Sequence, residues 1–303
     1  MPASVATSRR AVLELAAGNL LLGTLGMFVV ESGQDPVTVV FYRCLFGAAA
    51  MALYCRHAGL PGLRAMTRRA ALLAVLTGVL MAGNWVLFTA ALGHVGIALA
   101  TIVFHIQPFL VVLLGALVFG EGLSVVRLAW VALAFGGLLA AIGPEVMAPG
   151  EPAAVGIACA LGGAFLYAWV TLIARRLTGV PGPTLTLVQC LVGAPLLLVL
   201  GPAAPGVIGA VQWGWLAGIG LVHTGLVYAL VYGAVPRLAT PVIAVLTFLY
   251  PASAVAVDAV VYGRLVEPAQ IAGIGLIVLA GLGVTLGRPA GRRAARPGPA
   301  PGT

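Results

Sequence analysis

Apolar residues fall along this chain in blocks rather than in stripes. Runs at about 12–30, 37–55, 70–92, 95–119, 124–142, 153–174, 184–200, 210–233, 239–262 and 268–286 are separated by short connections carrying Gly, Pro or charge. A helix of about 20 apolar residues spans a hydrocarbon core, so the pattern predicts ten membrane-spanning helices and no soluble domain. Polar groups interrupt the blocks rarely, and one interruption stands out. Thr101–Gly120 (TIVFHIQPFLVVLLGALVFG) is long enough to span, yet places His105, Gln107 and Pro108 near its middle. At an offset of 143 residues, Ala244–Gly263 (AVLTFLYPASAVAVDAVVYG) repeats the punctuation, with Pro251 matching Pro108 and Tyr250 matching Gln107. A proline-broken apolar helix, once in each half, is the pattern of a transporter binding site.

Composition agrees with a membrane protein. Only 8% of residues are charged and 61% are hydrophobic, against about 25% charged in soluble domains. The net charge is +8, and all sixteen basic residues are Arg. They lie in short clusters between apolar runs, not on one folded face, which points to membrane orientation and away from nucleic acid. With the N-terminus cytoplasmic, fourteen Arg fall on inside segments, Arg264 alone falls outside and Arg43 lies within a span. Glu31, Asp35, Glu145, Glu151 and Glu267 collect outside. The expected topology has both termini in the cytoplasm. The four cysteines have no metal-ligand spacing and read as small hydrophobic residues. No cleavable leader is read at the start. The tail from Arg288 is basic, Pro-rich and expected to be disordered.

The repeat extends beyond the broken helices. YRCLFGA (42–48) parallels VQCLVGA (188–194), and Trp85 falls opposite Tyr228. Two halves of five spans, an odd number, enter the membrane from opposite sides, so a pseudo-two-fold axis in the membrane plane is expected. The units are a cytoplasmic start (1–10), a first repeat (11–143), a second repeat (153–287) and the tail (288–303).

The proline-centred helix followed by Val-Phe-Gly-Glu, its partner Tyr-Pro…Val-Tyr-Gly and the two five-helix halves resemble the drug/metabolite transporter superfamily, specifically its EamA-type members. The layout is similar to bacterial amino-acid exporters. The resemblance covers about residues 11–287. It implies an all-α basket whose central cavity is lined by spans one, three, four, six, eight and nine, with five and ten outside. It also implies that His105 and Gln107 occupy cavity positions that are aromatic in the amino-acid exporters, and that Tyr167 matches an aromatic cavity position.

Polar side chains inside a span face a bundle interior or a wet cavity, because lipid exposure is costly. The substrate-binding candidates are therefore Asn84, Trp85, His105, Gln107, Tyr167, Tyr228 and Tyr250, beside the breaks at Pro108 and Pro251. Indole and phenol groups offer flat apolar faces with one polar handle, which suits a small amphipathic metabolite. Asp258 is a candidate for ion coupling, set against a plain pairing with Arg264. Arg43 either clamps a substrate carboxylate or holds two helices together. Glu14 reads as interfacial, and His223 as a packing or cavity residue. Trp213 and Trp215 read as interfacial belt residues.

The expected function is secondary transport of a small metabolite across the bacterial inner membrane, as export of amino acids by alternating access. Export of other metabolites or cationic drugs is the alternative; a lipid-carrier flippase or an intramembrane enzyme is a reading of another class. No Walker-type loop, His-Glu-x-x-His or G-x-S-x-G context is present, so neither ATP hydrolysis nor enzymatic chemistry is expected. No cofactor or metal is called for. Partners are the bilayer and the substrate, with the chain a monomer or homodimer.

Overall fold

A computed structural model describes residues 9–62, 65–120, 124–147, 151–264 and 266–286. Arg64, Glu121 and the tail from Arg288 lie outside the described residues. Among the described residues the structure is helical with turns and no strand. Six helical stretches are long and apolar enough to cross a membrane, and Gln107–Phe119, Leu128–Ala141, Gly182–Leu198 and Pro268–Gly283 are shorter apolar helices.

The first apolar block divides into α1 (Arg9–Gly23) and α2 (Leu25–Ser32) at Thr24. Helix α3 (Pro36–His57) starts with Asp35 as its cap, whose carboxylate accepts the Val37 and Thr38 N–H groups. Proline follows at the first helical position, where its missing N–H costs nothing.

Helix α4 (Arg68–Phe104) has 37 residues. At 1.5 Å per residue a straight helix of that length would run about 55 Å, against roughly 30 Å of hydrocarbon. The chain must therefore turn, and Gly96 is where it does so: φ is +78° and ψ 173°, a conformation reserved for glycine. The third and fourth apolar blocks are thus joined through a single residue. Helix α5 (Gln107–Phe119) completes the fourth block after the break at His105–Ile106.

There follow α6 (Val125–Met147), α7 (Glu151–Ala174) and α8 (Gly182–Leu198). The eighth block is α9 (Ala210–Gly218), a π-helical segment Ile219–Leu226 and α10 (Val227–Ala234). The ninth is α11 (Thr240–Thr247) and α12 (Leu249–Tyr262), and α13 (Pro268–Leu286) is last.

The packing is reciprocal between halves. Helix α3 lies against α8, and α6 against α13. Helix α1 packs on α10 and α12, while α7 packs on α4 and α5. At the α3–α8 crossing, a Cβ on Gly47 would meet Cys190 Sγ, and a Cβ on Gly193 would meet Cys44 Sγ. At the α6–α13 crossing, Gly137 faces the Gly273 carbonyl and Gly273 faces the Gly137 carbonyl. Small residues allow this approach where no hydrophobic effect drives helices together. Two hydrogen bonds repeat the theme: Arg43 Nε donates to Thr224 Oγ1 at 3.0 Å, and Gln189 Nε2 donates to Thr77 Oγ1 at 3.4 Å.

Candidate functional site

The two broken helices meet. Helix α4 ends at Phe104, and the His105 ring turns back so that Nδ1 lies 2.7 Å from the Thr101 carbonyl. Proline at 108 cannot supply an N–H to the preceding turn, which is why α5 must begin anew. In the second half α11 stops at Thr247, and α12 starts two residues before Pro251. The His105 and Tyr250 rings then face each other across the halves, centroids 5.1 Å apart. A small apolar crevice of about 10 Å³, the space of about one water molecule, lies beside His105, lined by Ile102, His105, Phe248, Pro251 and Ile277.

From this point a line of aromatic groups runs through the bundle. Phe104 lies edge-on to Tyr167 at 5.9 Å and tilted against Phe88 at 4.8 Å, and Tyr228 lies edge-on to Tyr232 at 5.8 Å. His105, Tyr167, Tyr228 and Tyr250 are each half-buried. Gln107 is likewise half-buried at the break, and Pro108 is exposed.

Arg43 lies beside Trp85 and Tyr228. It is only 4% exposed. Its guanidinium carbon sits 4.3 Å from the centroid of the Trp85 ring, and the Tyr228 hydroxyl is turned toward both Arg43 and Trp85. Among the described residues it meets no carboxylate. A desolvated cation–π contact contributes about 2 kcal/mol, whereas removing a guanidinium from water costs several kcal/mol. The aromatic neighbours therefore leave the charge under-compensated. The sequence weighed this residue as either a clamp or a helix tie; the structure shows one tie, to Thr224, and a guanidinium set against Trp85.

Other candidates have different placements. Asn84 is buried, and its Nδ2 donates to the Gly163 carbonyl of α7 at 2.8 Å, so its amide is committed to a helix–helix contact. His223 is fully buried, with Nε2 3.0 Å from the Thr24 hydroxyl at the α1–α2 break and its ring against Phe28. Trp213 packs edge-on to Tyr42, and Trp215 edge-on to Phe28, so both aromatic rings pack against other helices. Thr24 and the π-helical segment carried no sequence signal beyond glycine and threonine in an apolar run.

Asp258 is 3% exposed. Its Oδ2 accepts the Ala98 N–H at 2.9 Å, capping the helical turn that restarts after Gly96, and Oδ1 lies 3.6 Å from Arg264 Nη1. Nearby, the Tyr262 hydroxyl donates to Glu31 at 2.8 Å, tying the end of α12 to the end of α2. At the opposite end of α1, Glu14 takes Arg10 Nε at 2.8 Å and also pairs with Arg237, which precedes α11. The described side chains contain no group of three or more His, Cys, Asp or Glu placed to hold a metal.

Comparison with known proteins gives a consistent picture. The chain matches the EamA-like transporter family over residues 10–143 and again over 154–286. It is 26% identical over 285 residues to a Bacillus subtilis (strain 168) protein described as the uncharacterized transporter YxxF, covering 93% of this chain and 91% of that one. A Pseudomonas aeruginosa (strain UCBPP-PA14) protein, the pseudopaline exporter CntI, is 31% identical over 120 residues, 36% of this chain and 41% of its own. One solved crystal structure superimposes with a TM-score of 0.65 at 21% identity, covering 91% of this chain and 97% of its own, a likeness of fold.

Proposed function

This chain belongs to the EamA-like transporter family and is a multi-pass membrane protein, and from that premise we propose that it exports amino acids or similar small metabolites across the bacterial inner membrane by alternating access. The observation that carries the reading is the meeting of His105 and Tyr250 at the two helix breaks; in this reading they border a central cavity together with the half-buried Tyr167 and Tyr228. Broken helices supply polar groups at membrane depth only where they line such a space. In this reading ten spans form two inverted repeats, 11–143 and 153–287. The twofold family match and the reciprocal α3–α8 and α6–α13 crossings support it. Substrate contacts come from Trp85, His105, Gln107, Tyr167, Tyr228 and Tyr250, with Asn84 holding α7 in place beside them.

Both termini lie in the cytoplasm, which puts the Glu14–Arg237 pair inside and the Tyr262–Glu31 and Ala98–Asp258 ties outside. Ties at both ends are groups that would part alternately as the halves rock. Asp258 is the acid placed for ion coupling, although its bond to Ala98 supports a capping role first.

Counterflow into proteoliposomes tests the proposal. Vesicles preloaded with unlabelled amino acid should accumulate the labelled one saturably. His105→Ala and Gln107→Ala should lower that exchange at least about tenfold, the size of one lost polar contact, with the protein still folded. Exchange that does not saturate would instead describe a channel.

A further inference from the structure

We propose that Arg43 is the residue that sets the charge of the substrate: it binds a carboxylate, and the protein is selective for metabolites that carry one. The inference rests on the cavity reading above and goes beyond it in assigning a residue and a chemical class.

A buried cation in a membrane span needs an anion. Four acids have their carboxylates engaged elsewhere: Glu14 with Arg10 and Arg237, Glu31 with Tyr262, Asp35 with the start of α3, and Asp258 with Ala98 and Arg264. Glu267 lies just before α13, where its N–H donates to Gln270. None of these acids makes an ion pair with Arg43, whose Nε is held by Thr224 and whose guanidinium carbon lies over the Trp85 ring, close to Tyr228. Holding Nε fixes the plane of the guanidinium, and a planar fork of donors matches the two oxygens of a carboxylate. The Trp85 indole on one side orients the cation and offers an apolar face to the rest of the ligand.

The charge is also single. The residue in the matching place of the other half is Gln189, which is neutral and committed to Thr77. One guanidinium balances one negative charge, which favours a monocarboxylate over a phosphate dianion. A cationic drug would meet an uncompensated like charge, so this placement separates the amino-acid reading from the cationic-drug alternative.

The test uses the purified full-length protein and thermal unfolding in detergent. Its probes are a panel of zwitterionic amino acids, the same acids without their amino group, the matching carboxamides, a phosphomonoester and ethidium. Carboxylate-bearing members should raise the Tm of the wild-type protein, and carboxamides of the same size should not. Arg43→Gln should weaken binding roughly 10- to 100-fold, and Arg43→Lys should retain part of it because the charge survives without the fork. A purely structural Arg43 would lower the unliganded Tm without changing the preference for carboxylate over carboxamide. If Arg43→Gln does not fold, the wild-type comparison decides alone. Equal stabilisation by carboxamides, stabilisation only by ethidium or the phosphomonoester, an undiminished shift in Arg43→Gln, or no shift by any carboxylate overturns the proposal. Stabilisation by the deaminated acids but not by amino acids leaves Arg43 as the anion site and refutes amino-acid export.

Discussion

Replacing Gly96 with alanine probes the turn that lets two spans follow one another through a single residue. The backbone there has φ +78° and ψ 173°, a region that costs a residue with a Cβ about 1–3 kcal/mol. The added methyl would also stand 2.8 Å from Arg264 Nη1. That contact is with the end of a flexible side chain that is 57% exposed, so Arg264 swings aside and lengthens an ion pair that already stands at 3.6 Å. The chain has one escape from the strain, which is to rotate to negative φ. Doing so turns the Ala98 N–H away from Asp258, a charge-assisted bond of about 1.5–3 kcal/mol. The cheaper route sets the cost, so Gly96→Ala should destabilise by about 2 kcal/mol and lower Tm by several degrees. Gly136→Ala, where the new methyl meets nothing within 4 Å, is the matched control and should be neutral or slightly stabilising. A double-mutant cycle with Asp258→Ala distinguishes the two routes. If alanine at 96 rotates the backbone, the Asp258→Ala cost shrinks in that background; if it bears the strain, the costs add. A Gly96→Ala protein melting within about 1 °C of wild type would refute the account of this turn.

Other outcomes are expected. Asp258→Asn keeps an acceptor for the Ala98 N–H and should preserve counterflow within about threefold, since it removes less than one full hydrogen bond; loss of transport driven by a pH gradient, with counterflow intact, would assign Asp258 to proton coupling. Gly273→Val forces a side chain against the Gly137 carbonyl and should cost about 1–3 kcal/mol by overpacking, read as a lower Tm in detergent. Trp85→Ala empties a buried site and should cost about 3–5 kcal/mol, while Trp85→Phe, which keeps a ring under Arg43, should fold and show a weaker carboxylate preference in competition counterflow.

The parts of this structure that are legible in the sequence are those written locally. Apolar blocks of spanning length, the proline breaks and the sign of the loops depend on adjacent residues, and they suffice to point to a helical membrane protein and to His105 and Tyr250. The parts that are not legible depend on partners far along the chain. Thr24 interrupts the first block where it meets His223, 199 residues away. Asn84 has the same polarity whether it serves a ligand or the Gly163 carbonyl, and only the placement of α7 decides. Asp258 reads as a neighbour of Arg264, yet its closest engagement is the Ala98 N–H, 160 residues back. Arg43 is ambiguous as a sequence letter because its meaning lies in which acids fail to reach it.

The reciprocal crossing of α3 and α8 limits how far the halves can diverge. Where Cys44 and Gly47 face Cys190 and Gly193, each residue touches its own counterpart's neighbours. A change there is felt from both sides, and the two stretches are constrained to remain alike. One position before the cysteine the constraint lapses, and the chain carries Arg43 in one half and Gln189 in the other. A perfectly matched pair of halves would offer a bound molecule two equivalent ways to lie. The Arg–Gln difference removes that degeneracy and gives the interior a head and a tail, so a ligand with one charged end enters a space that already distinguishes its ends.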